Sequence, residues 1–438
     1  MTFSQSATKK AAYQESNAGT VSPFLENLVE TISNTPYDRQ SIPQDALDLA
    51  NKYRSSLFPW RGQFSPEFIE ILLNTYSQRD DIIFDPFVGS GTTLFEAIRK
   101  GLRCYGAEIN PSAVAMAKTA ELASLPLDER KRAIQEALCF LKKYFRATTW
   151  DLFSSLDSEQ HDPDTIETPV ENRLKAMLQE AECKPIVHTI LANAIIRYMD
   201  DGKPRTDAAL FRALEEHARI VENIPYSQQQ CDVFHADARC VPLASNSVNL
   251  IITSPPYINV FNYHQNHRPA MELFGWDMLE IAKSEIGSNR KHRQNRFLTV
   301  IQYALDMLDV LKEMRRILCP DGKAIIVVGR ESSVRRVRFK NGMLVALLAS
   351  GGAGFHLETL QERKFMNKFG EIIFEDILHL VPCENGKIAD DRFARSVAVW
   401  FLYQALTTSD GVIKDEILEA IEKNSTVRQS PLLNGITS

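Results

Sequence analysis

With 438 residues, a formal net charge of −6 and 24% charged residues, the chain has the composition of a water-soluble globular protein. Its length allows one elaborated domain or two to three smaller ones. No apolar run approaches the roughly 20 residues that a membrane span requires. The polar first 22 residues have no apolar segment after Lys9 and Lys10, so no secretory signal is expected and the cytoplasm is the expected location.

The cysteines are scattered singly along the chain. There are seven of them, and none forms a Cys-x-x-Cys pair. This spacing argues against a structural zinc site and against a disulfide framework. No metal site is therefore expected.

The N-terminal part of the chain is predicted to be helical up to the first strand. Residues 1–22 are low in apolar content and are predicted to be disordered. Residues 23–56 are predicted to form one or two short helices. Ser65 is placed to cap a helix over 66–76 that begins with a proline and has an apolar face.

A glycine-containing loop follows the first predicted strand. The strand covers 82–85, the loop runs from Asp85 to Thr93 as Asp-Pro-Phe-Val-Gly-Ser-Gly-Thr-Thr, and a helix over 92–100 follows. Strand, glycine loop and helix form the doubly wound arrangement, which binds ligands at the carboxyl ends of its strands. Leu94 occupies the third glycine position, so the loop is a poor dinucleotide fingerprint. An acid at its start suits a cationic ligand, and free helix N-terminal amides suit a carboxylate.

Glu108 follows the next predicted strand, 102–107, and stands about 20 residues beyond the glycine loop. An acidic residue in this place can accept both ribose hydroxyls of a nucleoside. A helix is predicted to begin at Asn110 and to run to about Leu122. Glu108 is therefore a candidate nucleoside contact.

Residues 125–230 are helical in pattern. Helices are predicted near 127–146, 169–181, 185–199 and 206–221, with an acidic loop around 151–168. No repeat or zinc pattern marks this segment. It is either part of a target-recognition region or a helical elaboration without ligand contact.

The stretch Thr253-Ser254-Pro255-Pro256-Tyr257 ends the buried strand 248–252. Two consecutive prolines donate no backbone hydrogen bond and hold φ near −65°, so their carbonyls have a fixed direction. A flat amine could donate to the Ser254 hydroxyl and the Pro255 carbonyl while Tyr257 stacks on its ring. Such a site can hold an extruded nucleobase by its exocyclic amino group.

The remaining C-terminal elements follow from patterning. A strand is predicted at 231–235, with Asp237 at its end. The other predictions are a helix at 298–317, a turn at 320–322 into a strand at 323–328, a helix near 343–349, an antiparallel pair at 355–364 and 370–381, a strand or helix at 396–406, and a polar tail after Asn424.

The stretches Asp85–Thr93 and Ser254–Tyr257 together resemble the amino-methyltransferases of DNA. The closest branch by motif is the cytosine-N4 enzymes, which typically carry Ser-Pro-Pro-Tyr where adenine-N6 enzymes more often begin with Asp or Asn. The resemblance implies a class I S-adenosylmethionine-dependent methyltransferase fold: α/β, Rossmann-like, with a mostly parallel seven-stranded sheet and a helical insertion. It divides the chain into a tail (1–22), N-terminal helices with a cofactor-binding half (23–124), the insertion (125–230), a catalytic half (231–406), and a C-terminal helix and tail (407–438).

The resemblance also implies roles for particular residues. The segment around Phe64 would pack over the methionine end of the cofactor, and Asp237 would receive the adenine amino group. Catalysis is assigned to Ser254, Pro255, Pro256 and Tyr257. S-adenosyl-L-methionine binding is assigned to Phe64, Asp85, Pro86, Phe87, Gly89, Gly91, Thr92, Glu108 and Asp237.

The DNA-binding candidates come from a polar run after Tyr257 and from two basic clusters. They are Asn262, His267, Arg268, Arg290, Arg293 and Arg336. Despite the net negative charge, a phosphate backbone requires only a local positive track, and Asn and Arg side chains can read bases. A merely solvated polar surface would have much the same composition.

The expected function is methyl transfer to the N4 amino group of cytosine in double-stranded DNA, protecting it in a restriction-modification system. The expected partners are double-stranded DNA and a cognate restriction endonuclease that acts on the same site. Alternatives are adenine-N6 methylation of DNA, methylation of a guanine amino group in structured RNA, and a regulator that binds cofactor and DNA without catalysis. The motifs favour neither a monomer nor a dimer.

Overall fold

The computed structural model describes residues 22–50, 53–146, 169–200, 205–258, 263–287, 292, 294–366 and 370–433. The strands in these residues are β1 Ile82–Asp85, β2 Arg103–Glu108, β3 Cys231–His235, β4 Val248–Thr253, β5 Leu318–Gly329, β6 Glu331–Val334, β7 Val337–Lys340, β8 Phe355–Met366 and β9 Ile372–Pro382.

The helices of the same residues are α1 Pro23–Ser33, α2 Gln44–Leu47, α3 Pro66–Tyr76, α4 Thr92–Arg99, α5 Pro111–Ala117, α6 Leu127–Tyr144, α7 Val170–Ala181, α8 Pro185–Tyr198, α9 Asp207–Asn223, α10 Arg268–Leu273, α11 Met278–Ser284, α12 Leu298–Ile317, α13 Asn341–Gly352, α14 Asp391–Leu406 and α15 Gly411–Glu422. None of these described helices has both the length and the apolar character needed to cross a bilayer.

The main sheet has seven strands in the order β3-β2-β1-β4-β5-β9-β8. The first five are mutually parallel, while β9 pairs antiparallel with β5 and β8 antiparallel with β9. The strand order reverses between β1 and β4, which is where doubly wound sheets bind their ligands. The mostly parallel, seven-stranded α/β sheet of a class I methyltransferase is therefore confirmed, as is the predicted antiparallel pair.

Two hydrophobic cores cover the two faces of this sheet. Neighbouring residues of β1 point to opposite sides: Ile83 packs in one core with Leu72 of α3 and Leu94 of α4, whereas Phe84 packs in the other with Leu308 of α12. Strands covered on both faces are expected to be apolar throughout. The fully buried stretch 324–328 of β5 follows this rule.

The insertion packs against the cofactor-binding half. Its helices α6 to α9 share one hydrophobic core with α3, α4 and β1. Asn193 of α8 donates a hydrogen bond to the Ala115 carbonyl of α5 at 2.7 Å, and Arg130 of α6 donates to the Val221 carbonyl of α9 at 2.9 Å. The four predicted helices are present, while the acidic loop at 151–168 lies outside the described residues.

Three local predictions differ from the structure. The side chain of Ser65 makes no capping hydrogen bond, although α3 begins at Pro66 as predicted. The helix predicted from Asn110 to Leu122 ends at Ala117 and continues as a 3₁₀ helix to Ser124. The turn predicted at 320–322 is part of β5. Val248 of β4 pairs with Leu318 and Leu250 pairs with Lys323, so the ladder shifts register and the additional residues of β5 lie within this shift.

The predicted polar tail after Asn424 is wrong for its described part. Ser430 is only 3% exposed, and its amide and hydroxyl bind the buried Asp306 carboxylate of α12 at 2.7 and 2.5 Å. Because a buried carboxylate is costly without hydrogen-bond donors, the chain returns to supply them. The structure also decides the ambiguous segment 396–406, which belongs to the helix α14.

Candidate active site

A cavity opens at the carboxyl edge of the parallel strands, where doubly wound sheets bind their ligands. The predicted site residues that line it are Phe64, Asp85, Pro86, Phe87, Gly89, Thr92, Glu108, Asp237, Ser254 and Pro256. The cavity therefore brings together residues from the ends of β1, β2 and β4 and from the loop after β3. Gly91, Pro255 and Tyr257 are predicted site residues that do not line it.

The two glycines of the loop have different structural roles. Gly89 has φ +52°, and a Cβ there would lie 3.0 Å from the Trp60 indole nitrogen on the cavity wall. Gly91 has φ +95° at the start of α4, and its Cβ would lie 3.0 Å from the Ala117 Cα. Both conformations favour glycine. The requirement at Gly91 comes from the helix start and the contact with α5.

The Asp85 carboxylate ties β1 to β4 and to the glycine loop. One oxygen accepts from the Thr253 hydroxyl at 2.6 Å and from the Phe87 amide at 3.0 Å, and the other accepts from the Thr93 hydroxyl at 2.7 Å. Burial raises the pKa of Asp85 to about 6. A cationic ligand would lower the pKa again by favouring the ionised form. The predicted charge interaction with the cofactor stays a prediction.

The Glu108 carboxylate at the end of β2 also contacts the glycine loop. One oxygen accepts from the Ile109 and Asn110 amides at 2.9 Å each, and the other from the Gly89 amide at 3.1 Å. Burial raises the pKa of Glu108 to about 7. Three of the roughly four lone pairs of the carboxylate are used in this way, so one remains for a hydroxyl. Acceptance of both ribose hydroxyls would require one backbone amide to give up its bond, and the predicted contact stays a prediction.

Asp237 lines the cavity, but its carboxylate is already paired. The guanidinium of Arg239 donates to both oxygens, at 2.9 and 2.6 Å, and the Leu433 amide approaches one of them at 3.3 Å. Arg239 also donates to Asp306 at 3.2 Å and to the Ser430 carbonyl at 2.6 Å. If Asp237 accepts the adenine amino group, as predicted, it must share its oxygens with Arg239.

Ser254 begins a hydrogen-bonded chain that leads away from the cavity. Its hydroxyl lies 3.3 Å from the Tyr257 hydroxyl, which donates to Glu375 at 3.2 Å, and the other Glu375 oxygen accepts from Arg363 at 2.6 Å. The Tyr257 ring lies against Gly329, where a Cβ would come within 2.9 Å of it. Sequence reasoning did not name Glu375 or Arg363, because Glu375 is 118 residues from Tyr257 and on another strand.

Several cavity-lining residues were not assigned to the site from the sequence. They are Trp60, Gly62, Gln63, Val88, Thr93, Ile109, Asn110, Ala238, Tyr263, His264, Ile281, Ser284, Glu285 and Ile286. The His264 ring lies 2.6 Å from the Glu285 carboxylate in a buried pair. Within the described residues the second ring nitrogen of His264 and the Ser284 hydroxyl have no partner, so both suit a polar ligand. For Tyr263 and His264 the sequence signal was the density of polar and aromatic residues after Tyr257, whereas Val88 and Thr93 belong to the glycine loop.

The DNA-binding candidates occupy different environments. His267 stacks on Trp60 with ring centroids 6.2 Å apart, so contact with DNA would require the ring to leave this stack. Arg268 is exposed and donates to Glu272 at 2.6 Å, whereas Arg336 is exposed in the β6–β7 turn. Asn262, Arg290 and Arg293 lie outside the described residues.

The tip of the β8–β9 hairpin exposes large apolar side chains. Met366 is 70% exposed and Ile372 58%, and they are paired across the hairpin. Because β9 is antiparallel to β5, this tip lies at the same edge of the sheet as Ser254. It begins immediately beyond the Arg363–Glu375 pair. An apolar surface therefore stands at the edge where the cavity opens.

These features define the class of protein. A seven-stranded, mostly parallel sheet carries a glycine loop after β1, an acid at the end of β2 and Ser-Pro-Pro-Tyr after β4. This is the fold of the class I methyltransferases, and S-adenosylmethionine is the cofactor that goes with it.

Residues 19–119 match the family model N6_N4_Mtase, described as DNA methylase. The chain is 22% identical over 410 residues to the Type II methyltransferase M.MjaII of Methanocaldococcus jannaschii, covering 67% of this chain and 75% of that protein. It is 38% identical over 117 residues to the Type II methyltransferase M.MvaI of Kocuria varians, or 25% of each chain. The predicted resemblance to DNA amino-methyltransferases is confirmed, and the comparisons support a DNA methyltransferase of the N4/N6 family.

Among solved structures the chain resembles an rRNA methyltransferase, AviRa of Streptomyces viridochromogenes, with 12% identity and a TM-score of 0.32 over 79% of this chain and 96% of that one. A SAM-dependent methyltransferase of Methanosarcina mazei has 11% identity and a TM-score of 0.32 over 73% of this chain and 98% of that one. These likenesses are too distant to bear on the substrate.

Proposed function

We propose that this chain transfers a methyl group from S-adenosylmethionine to the exocyclic N4 amino group of cytosine in double-stranded DNA. The observation that carries the proposal is that Ser254 lines the same cavity as Asp85, Gly89 and Glu108. An amine acceptor thus lines the same cavity as the groups suited to a nucleoside cofactor. Serine as the first residue of the tetrapeptide favours cytosine, by resemblance to the cytosine-N4 branch.

The residues of the cavity fit the cofactor. Glu108 would accept the ribose hydroxyls, Asp85 would attract the cationic end, and the α4 amides would bind the carboxylate. S-adenosylmethionine supplies an activated methyl group on a sulfonium when it is bound. The protein itself has to align the amine with this methyl group and exclude water, which needs no cysteine nucleophile.

On the target side, Ser254 and the Pro255 carbonyl would accept hydrogen bonds from the amine. Inside a duplex the amine is blocked by base pairing, so the base must flip at a cost of a few kcal/mol. Tyr257 does not line the cavity of the free protein, so the base would have to open the wall beside Ser254 to reach its ring. Stacking there, worth about 1 to 3 kcal/mol, would offset part of the cost of flipping. A Tyr257→Ala variant is therefore expected to impair a duplex substrate more than one whose target is mismatched.

The duplex is proposed to approach the carboxyl edge of the sheet. Arg336 in the β6–β7 turn would contact phosphates, and the apolar tip of the β8–β9 hairpin would press against the base stack. Both features belong to elements that begin or end at the edge where the cavity opens. The insertion, and Arg290 and Arg293 outside the described residues, remain further candidates for DNA contact.

The product decides between the candidate activities. Purified protein is incubated with duplex DNA and labelled S-adenosylmethionine, and the nucleosides are analysed by mass spectrometry. We expect N4-methylcytosine. N6-methyladenine as sole product would refute the cytosine assignment and leave the amino-methyltransferase class intact, whereas modified RNA with unmodified DNA would favour the RNA alternative. Cofactor binding without any transfer would indicate a regulator.

A role in restriction-modification is part of the proposal. It implies that DNA from expressing cells is modified at one short sequence and resists an endonuclease that cuts there. Mapping the modified bases identifies this sequence. Such a role places the protein with DNA in a prokaryotic cytoplasm.

A further inference from the structure

The chain of hydrogen bonds from Ser254 has a fixed direction. A carboxylate only accepts and a guanidinium only donates, so the Glu375 oxygens receive hydrogen bonds from Tyr257 and Arg363. Once the Tyr257 proton points to Glu375, the phenol oxygen is left as an acceptor for the Ser254 hydroxyl proton. Ser254 then presents only lone pairs to the cavity.

The far end of this chain is held firmly. Arg363 and Glu375 are paired across β8 and β9, and both side chains are 10% exposed. The Arg363 guanidinium also lies 3.9 Å from the centroid of the Phe68 ring. Burial, and next the Glu375 charge, raise the pKa of Tyr257 well above its usual value, so the hydroxyl keeps its proton. Hydrogen bonds in such a poorly solvated chain polarise one another.

We propose that Glu375, held by Arg363, is a positioning residue that makes Ser254 an obligate hydrogen-bond acceptor and thereby selects a base with an amino group. This inference rests on the proposed function. Cytosine can donate an N–H to the Ser254 oxygen. A base with a keto oxygen at the same ring position would instead place an acceptor against this acceptor, and the two oxygens would repel each other.

Glu375→Gln tests the direction of the chain, because an amide of nearly the same shape can turn either a donor or an acceptor toward Tyr257. At the mapped recognition site, we expect single-turnover methylation to fall about tenfold to hundredfold, the usual range for losing a hydrogen bond to a charged group. The cofactor Kd should not change. Discrimination between duplexes with cytosine and with uracil at the target should fall at least about tenfold in competition binding.

A double-mutant cycle separates this role from a purely structural one. Tyr257→Phe keeps the ring and removes the middle link, so it should reproduce both losses, and Tyr257→Phe/Glu375→Gln should lose no more than either single variant. Glu375→Asp keeps the charge and should recover part of the discrimination. Glu358→Gln is the matched control, because Glu358 pairs with Lys323 at 2.7 Å at the opposite edge of the sheet.

Wild-type rate and wild-type cytosine preference in folded Glu375→Gln would overturn the inference. The inference would also be overturned if Glu375→Gln and Glu358→Gln lost methylation rate and cytosine preference to the same extent, in proportion to a similar fall in thermal stability. Such a result would show a purely structural role for Glu375. A wild-type protein that methylates no amino group would instead refute the proposed function.

Discussion

Glu108 combines burial with three backbone hydrogen bonds, and its pKa is raised to about 7 in the free protein. Ribose hydroxyls would donate to the ionised form, so binding should lower this pKa and release a proton. Cofactor affinity is therefore expected to rise as the pH rises through about 7. Calorimetry at pH 6, 7 and 8, in two buffers of different ionisation enthalpy, measures both the affinity and the released proton.

Glu108→Gln is the corresponding variant. Without the charge, the affinity should fall by about one to two decades at pH 8 and should lose its dependence on pH near 7. An unchanged pH dependence in the folded variant would show that another group is titrating.

At the scale of elements, the β6–β7 turn holds the exposed Arg336 with φ +69°, beyond the end of β5. If its guanidinium contacts a phosphate, Arg336→Gln should flatten the slope of log affinity against log salt by about 0.9 and leave the preferred site unchanged. Fluorescence anisotropy across a salt series gives the slope.

Arg392→Gln is the matched control for the turn. Arg392 is 90% exposed and opens α14, which follows the opposite end of β9. The control should keep the wild-type slope. The same slope in both variants would assign Arg336 to the solvated surface.

The β8–β9 hairpin leads to a prediction about base flipping. Replacing Met366 and Ile372 with serine should slow single-turnover methylation of a matched duplex about tenfold. It should hardly affect a duplex with a mismatched target, because the mismatch already supplies part of the unstacking energy. Ile388→Ser is the control, since Ile388 is 61% exposed and pairs near the other end of β8. Equal losses on both substrates would contradict a role in flipping.

At the scale of the whole molecule, Arg239 connects three distant parts of the chain. Its guanidinium binds Asp237 after β3, Asp306 of α12 and the Ser430 carbonyl near the C-terminus, and its side chain is 2% exposed. Arg239→Met would leave two buried carboxylates without their cation. We expect a loss of about 3 to 5 kcal/mol in the free energy of unfolding, measured by urea denaturation.

Arg395→Met provides the comparison. Arg395 also binds the C-terminal segment, donating to the Val427 carbonyl at 2.8 Å, so its loss removes neutral contacts of the same segment. The cost should be smaller, about 1 to 2 kcal/mol. An equal loss of unfolding free energy in the two variants would mean that the contacts with the C-terminal segment contribute more to stability than the buried ion pairs of Arg239.

The sequence by itself determined the elements with strong local signals. The strand at 231–235 and the helix at 298–317 lie where periodicity predicts them, because a buried strand and a long amphipathic helix each impose their own spacing of apolar residues. The motifs at 85–93 and 254–257 were equally readable. Each of the two motifs forms the turn that ends a strand. Its residues are therefore contiguous in the sequence and can be recognised there.

Only the tertiary structure decided which distant side chains meet. Glu375 reaches Tyr257 across the sheet, and Ser430 returns to Asp306 from 124 residues away. Such pairs produce no periodic pattern in the sequence. Strand order and register bring the two residues together, whereas their spacing along the chain does not. The segment 396–406 was ambiguous for the same reason: burial of Val397 and Phe401 against the core of α12 and α13 makes it a helix.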